Sequence, residues 1–359
     1  MPTALLLPLF AITALLALTI AGILLVTGHA APQLAAHLAF ALGILPLVLA
    51  AMGYFIPVLT RSGGTGTVAA WLPILALGGG ILAVFSFAND FSARGFGLAA
   101  TFAGVAALGL GGWALNRVRR MLGPRHRGLD WYLAALGFLL LAMLAILLMP
   151  LFPAQRNALR LFHLHANLLG FVGLTALGTL QVLLPTCIGQ PDPGALPRLR
   201  RDIKWGATGT LLIAVGTATG LPRSGSMAWP ALALLGAAIY CGVILRMLIA
   251  WRSGFGRALV QAHGAGPSLA SAALGLLGIT ILGVAHGFGW LPARPAVAGF
   301  VIAFLLPLVS GAAGHLLPTW FRPGAQTPWH QVLRNRLCRW GGVRGMALLL
   351  AGLLITGIA

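Results

Sequence analysis

The segment "LRLFHLHANLLGFVGLTALGTLQVLLPT" (159–186) decides the fold, because it is long and apolar enough to cross a membrane as one helix. Near its start it carries two histidines, His163 and His165, separated by one residue. Each helical residue turns the chain by about 100°, so these side chains point in directions about 200° apart. Two ligands of one ion would normally be three or four residues apart. The pair is therefore expected to serve two sides of the helix.

The whole chain shares this apolar character. Its 359 residues are 59% hydrophobic and only 8% charged, with a mean hydropathy of +0.96. Such a composition predicts an all-α, polytopic membrane helical bundle, which we treat as one integral membrane domain over 1–359. About 11 transmembrane helices are expected, at 3–27, 33–59, 67–88, 95–116, 131–151, 158–186, 205–221, 229–250, 262–286, 295–318 and 345–359.

The net charge of +19 follows the predicted topology. Of the 23 lysines and arginines, 18 lie in the connections after even-numbered stretches and 5 in those after odd-numbered ones. The positive-inside rule then places the N-terminus in the cytoplasm, for a multi-pass protein of the bacterial inner membrane. Lipid headgroups account for the basic loops, so the lipid bilayer is an expected partner and nucleic acid is not.

Two predicted helices resemble one another. "HLAFALGILPLVLAAMGYFIPVLT" (37–60) and "HANLLGFVGLTALGTLQVLLPTCI" (165–188) both begin with a histidine and reach a proline 20 residues later. Twenty helical residues rise about 30 Å, which is the hydrocarbon thickness. We therefore expect His37 and His165 at matched depth near the outer face.

A third stretch shares the ending but lacks the histidine. The sequence "GHLLPTWFRPG" contains Pro318, and the residue 20 positions earlier is Ala298. The pattern predicts pseudo-repeated four-helix blocks at about 1–120, 121–250 and 251–359.

Four histidines are expected in the outer half of the membrane, and they are the candidate metal ligands. A neutral imidazole suits the axial position of haem iron and also copper. Two imidazoles from different helices at one depth can hold haem b edge-on between them, so the predicted cofactor is haem b between the second and sixth helices. Hydrogen bonding between helices is the alternative explanation for any single histidine. The four residues are His37, His163, His165 and His286.

Three residues near these histidines could either serve a cofactor site or pack one helix against another. Gly43 and Gly170 remove side-chain bulk where a macrocycle would lie, although close packing of helices explains glycine equally well. Asn167, one turn after His163, can orient its second ring nitrogen or bond a neighbouring helix.

Other polar groups exclude several functions. There is no glutamate, one lysine, and no CxxC pair among three cysteines. We expect the four aspartates in loops or at helix ends, which disfavours a proton relay and calcium or magnesium sites. His29, His126 and His330 are expected in solvated loops. The aspartates are Asp90, Asp130, Asp192 and Asp202.

The HxH segment resembles the tenth helix of subunit I of the haem–copper oxidase superfamily, whose pattern is HxHxxLxxG followed by a proline. Leu168 fits this pattern, whereas Gly170 comes one residue early. A similar pattern occurs in the NnrS family of haem- and copper-containing membrane proteins tied to nitric oxide metabolism. The resemblance implies that His165 and His37 ligate a low-spin haem, and that His163 faces a second haem or copper.

The chain departs from this family in several features, which limits the site residues that the resemblance implies. The HxH helix is sixth instead of tenth, and the chain has neither an HPEVY-like segment nor adjacent histidines, so the three-histidine copper site cannot be assembled. His286 is the remaining candidate to oppose His163.

The expected function is electron transfer or redox chemistry of nitric oxide or oxygen, with a partner subunit or periplasmic cytochrome. The chain would act as an oxidoreductase enzyme only if a second metal or haem lies at His163. A transporter or channel for small solutes or metal, and a cofactor-free assembly subunit, are the alternatives.

Overall fold

A computed structural model describes residues 2–64, 66–89, 93–121, 123–219, 228–291 and 294–358, and every regular element in these ranges is helical. Asp90 and the end of the predicted stretch 205–221 lie outside the described residues. The α-helices are α1 (Pro2–Thr27), α2 (Pro32–His37), α3 (Leu45–Leu59), α4 (Thr67–Ala88), α5 (Ala93–Arg119), α6 (Gly128–Leu148), α7 (Arg156–His165), α8 (Leu174–Ile188), α9 (Ala195–Thr219), α10 (Ala228–Phe255), α11 (Ala265–Gly287), α12 (Arg294–Gly299), α13 (Leu306–Phe321), α14 (Pro328–Leu337) and α15 (Gly341–Ile358).

Ten helical spans in the described part of the chain are long and apolar enough to cross a membrane. The predicted polytopic helical bundle in a lipid bilayer is therefore confirmed. The predicted stretch 205–221, which is not among these ten spans, overlaps α9, whose 25 residues extend about 38 Å but include a charged first third. In the span Pro153–Ile188, which contains the HxH pattern, 78% of the most apolar 18 residues are buried. In the other nine spans the corresponding share is 33–67%.

The chain forms two compact units, each built from separate segments. The first unit comprises Met1–Ala39, Thr179–Ala195 and Ile244–Ala359, and the second comprises Phe40–Gly178 and Leu196–Val243. In the first unit, α11 packs against α13 and α15, and α1 packs against α12 and α13. In the second unit, α4 packs against α3 and α5, and α6 packs against α5 and α7. The predicted division into three blocks stays a prediction.

Three of the predicted spans are not continuous α-helices, because each contains a π-helical segment. These segments are π1 (Leu38–Ile44), between α2 and α3, π2 (Ala166–Gly173), between α7 and α8, and π3 (Phe300–Leu305), between α12 and α13. His37 and His165 are the residues directly before π1 and π2. π-Helical turns are rare and occur frequently at functional sites. Two of the three thus begin at the same distance from the later proline, directly after a histidine.

Proline explains two of the three π-helical segments. Pro46 and Pro307 lie in the first turn of α3 and α13, just after π1 and π3. Proline has no N–H, and its ring clashes with the carbonyl four residues earlier, so the preceding turn widens. Residue 174, just after π2, is leucine.

A glycine approaches the backbone of π1 and of π3. Any side chain on Gly80 of α4 would overlap the carbonyl oxygen of Ala41, and one on Gly275 of α11 would overlap that of Ala303. Both carbonyls belong to the fourth residue of their π-helical segment. Hydrocarbon contains no water that could donate a hydrogen bond to these carbonyls. Weak contacts with a neighbouring backbone are one of the few ways to stabilise them.

Candidate functional site

His165 is held by two hydrogen bonds in the second unit. Its ring Nδ1 lies 2.9 Å from the carbonyl oxygen of Leu161 and 3.1 Å from Oγ1 of Thr217 on α9. A carbonyl only accepts, so Nδ1 carries the proton. The Thr217 hydroxyl donates to the carbonyl of Ile213 at 2.8 Å, which leaves its oxygen to accept from the imidazole. In the neutral ring the lone pair is therefore on Nε2.

His37, in the first unit, has the same arrangement. Its Nδ1–H donates to the carbonyl of Gln33, four residues earlier, at 2.7 Å. Metal-bound histidines usually donate the other ring N–H to a carbonyl or carboxylate, which fixes the tautomer and the ring orientation. Both histidines have this chemistry, and both side chains are half-buried. The imidazoles thus fit axial ligation of haem iron through Nε2.

His163 is held differently, across a helix contact. Its Nδ1–H donates to the carbonyl of Ala142 on α6 at 3.0 Å, which links the HxH helix to its neighbour. The amide Nδ2 of Asn167 donates to the backbone carbonyl of His163 at 3.0 Å and lies 3.4 Å from the ring Nε2. Asn167 therefore contacts His163 one turn away, and the two roles considered for it stay predictions. These contacts agree with the interhelical hydrogen-bonding alternative for this histidine.

Side chains from neighbouring helices occupy the space beside two glycines of the HxH helix. A Cβ on Gly170 would lie 2.6 Å from Cγ of Phe138 on α6. One on Gly173 would overlap the hydroxyl of Tyr240 on α10. Close packing therefore accounts for both positions. Gly43 is buried within π1. The role of Gly43 and Gly170 beside a cofactor stays a prediction.

His286 lies in the first unit at the end of α11. Its Nδ1–H donates to the carbonyl of Leu291 at 3.1 Å, which closes the turn after the helix. Among the residues that the structure describes, no three histidine, cysteine or acidic side chains are grouped to hold a metal ion. A second metal at His163 or His286 stays a prediction.

The third π-helical segment is preceded by a glycine, and the space beside this glycine is filled. Gly299 directly precedes π3, where the other two segments are preceded by histidine. A Cβ on Gly299 would overlap Oγ1 of Thr356 and lie 2.7 Å from Cδ1 of Ile279. Side chains of α11 and α15 thus occupy the space beside it.

Two expectations about polar residues are wrong. His330, expected in a solvated loop, is 3% exposed; its Nε2–H donates to the carbonyl of Arg322 at 2.9 Å, and its Nδ1 accepts the N–H of Thr327 at 3.0 Å. Asp202, expected at a helix end, is 1% exposed within α9 and accepts a 2.8 Å hydrogen bond from Arg201, which raises the arginine's pKa. Asp202 is thus paired with the neighbouring arginine inside the helix.

No family model, curated protein or solved structure matches the chain. The site is therefore defined by its own residues.

Proposed function

We propose that this protein binds haem b through the imidazoles of His165 and His37, and that it transfers electrons in the bacterial inner membrane, with its N-terminus in the cytoplasm. The observation that carries the proposal is the repeated arrangement of these two histidines. Each directly precedes a π-helical segment, and each donates Nδ1–H to the carbonyl four residues earlier. In both rings the proton is therefore on Nδ1 and the lone pair on Nε2.

Haem would supply one-electron chemistry within a chain that has few other redox groups. Its protein ligands would set the potential through ring orientation and hydrogen bonding. The bond from His165 to Thr217 adds a second acceptor for Nδ1–H, which increases the basicity of the imidazole. A redox partner, either a second subunit or a periplasmic cytochrome, would exchange the electrons. Redox chemistry of nitric oxide or oxygen belongs to the same proposal and requires a second metal or haem at His163.

A cofactor-free assembly subunit is the second candidate. The observation that favours it is the filling of the space beside Gly170 and Gly173 by Phe138 and Tyr240. Helices held together by such contacts need no prosthetic group.

The visible spectrum of the detergent-purified protein, expressed with haem supplied, distinguishes the two candidates. The haem proposal predicts a Soret band, a b-type pyridine haemochrome and a low-spin signal in electron paramagnetic resonance. His37→Ala and His165→Ala are expected to lose the low-spin signal, and His163→Ala to retain it. His29→Ala, at an exposed position between α1 and α2, is the control for loss of a histidine alone. A folded protein with no Soret band would refute haem binding and favour the assembly subunit.

A further inference from the structure

The π-helical segment in the HxH helix differs from the other two because it can return to an α-helix. At π1 and π3 the following Pro46 and Pro307 have no N–H, so the ordinary α-helical bond cannot form there. After π2, the N–H of Leu174 is present and is shared among the carbonyls of Gly170, in the α register, Leu169, in the π register, and Phe171, three residues earlier. Something other than proline must therefore hold π2.

Tyr240, a residue of the second unit on α10, provides that contact. Its hydroxyl donates to the carbonyl of Leu169 at 3.1 Å, and its side chain is 0% exposed. The hydroxyl fits there because Gly173 has no side chain. If the helix returned to the α register, the Leu169 carbonyl would turn away and the buried hydroxyl would lose its acceptor, which is costly in a dry interior.

The position of Tyr240 is itself fixed by a close crossing of α9 and α10. A Cβ on Gly209 would lie 2.9 Å from the carbonyl oxygen of Gly236 and 3.0 Å from the backbone nitrogen of Tyr240. The two backbones are thus in direct contact at the root of the tyrosine. Since α9 also carries Thr217, the same pair of helices contacts the HxH helix at π2 and at His165.

We propose that Tyr240 is a positioning residue that holds π2 in the π register and thereby sets the directions of His163 and His165. A π-helical turn accommodates one extra residue, so its loss would rotate both histidines by about 100° relative to α8. Tyr240 would then do for π2 what proline does for π1 and π3. The inference rests on the proposed function for its importance, because ring orientation decides ligation, but its test does not require haem.

The test compares ring-nitrogen NMR signals in protein labelled with ¹⁵N-histidine and prepared without haem. His163 and His165 are assigned by their loss in His163→Gln and His165→Gln. Tyr240→Phe, which removes one oxygen atom, is expected to shift both signals and leave those of the other seven histidines in place. It should also speed exchange of the Leu174 amide about two- to tenfold, as expected for loss of one hydrogen bond. Tyr54→Phe on α3 is the control for a lost phenol.

A second substitution makes the proposal specific. Leu174 has φ −66°, which proline adopts without strain, so Leu174→Pro would fix π2 as Pro46 fixes π1. Tyr240→Phe combined with Leu174→Pro is expected to restore both histidine signals. Unchanged His163 and His165 signals in Tyr240→Phe, or a double variant that stays shifted, would overturn the inference. Failure of the wild-type protein to bind haem would refute the proposed function alone.

Discussion

Adding a methyl group at Gly80 should separate α4 from π1 and destabilise the second unit. A Cβ at this position would lie 2.7 Å from the carbonyl carbon of Ala41 and 3.0 Å from Cα of Leu42, both of which are backbone atoms that cannot swing aside. Reaching ordinary contact requires the helices to move apart by roughly 1 Å, and overpacking of this kind costs about 1–3 kcal/mol. The contact matters in lipid because van der Waals packing drives helix association there.

Gly78 on the same helix provides the matched control. A Cβ there would meet only the Phe102 ring, at 3.8 Å, which is ordinary contact. Gly78→Ala should therefore be neutral or stabilise by up to about 1 kcal/mol, the usual gain of alanine over glycine in a helix.

Reversible unfolding in mixed micelles by titration with sodium dodecyl sulfate measures both free energies of unfolding. The expected difference between Gly78→Ala and Gly80→Ala is about 1–4 kcal/mol. A Gly80→Ala protein as stable as Gly78→Ala would show that α4 does not pack on π1 in this way. On α11, Gly275→Ala and Gly283→Ala form an equivalent pair, because a Cβ on Gly283 would have nothing within 4 Å.

Thr217→Val should remove one acceptor from the His165 imidazole and weaken haem binding about tenfold, measured by haem titration. Thr219→Val, which removes a hydroxyl bonded only along its own helix, is the control, and equal losses in both would contradict the role of Thr217. In the loop before α6, burial lowers the pKa of His126 from 6.5, and its Nδ1 accepts the Gly128 N–H at 3.1 Å. This imidazole therefore binds a proton more readily in the unfolded chain than in the folded protein. The free energy of unfolding should consequently fall as the pH drops below about 6.5. His126→Asn keeps an acceptor for the Gly128 N–H and should make the melting temperature less dependent on pH. An unchanged pH dependence in this variant would show that His126 is not its source.

The spans could be predicted from the sequence because hydrophobicity is a local property of each segment. The matched spacing from His37 and His165 to their prolines also singled out two helices whose histidines both directly precede a π-helical segment. Pro46 and Pro307 were visible signals for two π-helical segments, although the resulting turn was not predicted.

The contacts that hold the candidate ligands could not be predicted, because they join distant parts of the chain. Thr217 is 52 residues from His165, and Tyr240 is 71 residues from Leu169. Neither residue type indicates a site by itself, since threonine and tyrosine are common in membrane helices. The buried hydrogen bond of His330 depends likewise on the carbonyl of Arg322, which the turn before α14 brings close.

Gly299 shows how a π-helical segment of this chain is packed where no histidine precedes it. Histidines stand directly before π1 and π2, whereas Thr356 and Ile279 fill the space beside the glycine before π3. A histidine introduced at 299 would therefore collide with α11 and α15. Fitting it would require smaller residues at 279 and 356 as well, so three substitutions would have to be made together. The same backbone turn is thus compatible with a polar side chain in two spans and with tight helix packing in the third.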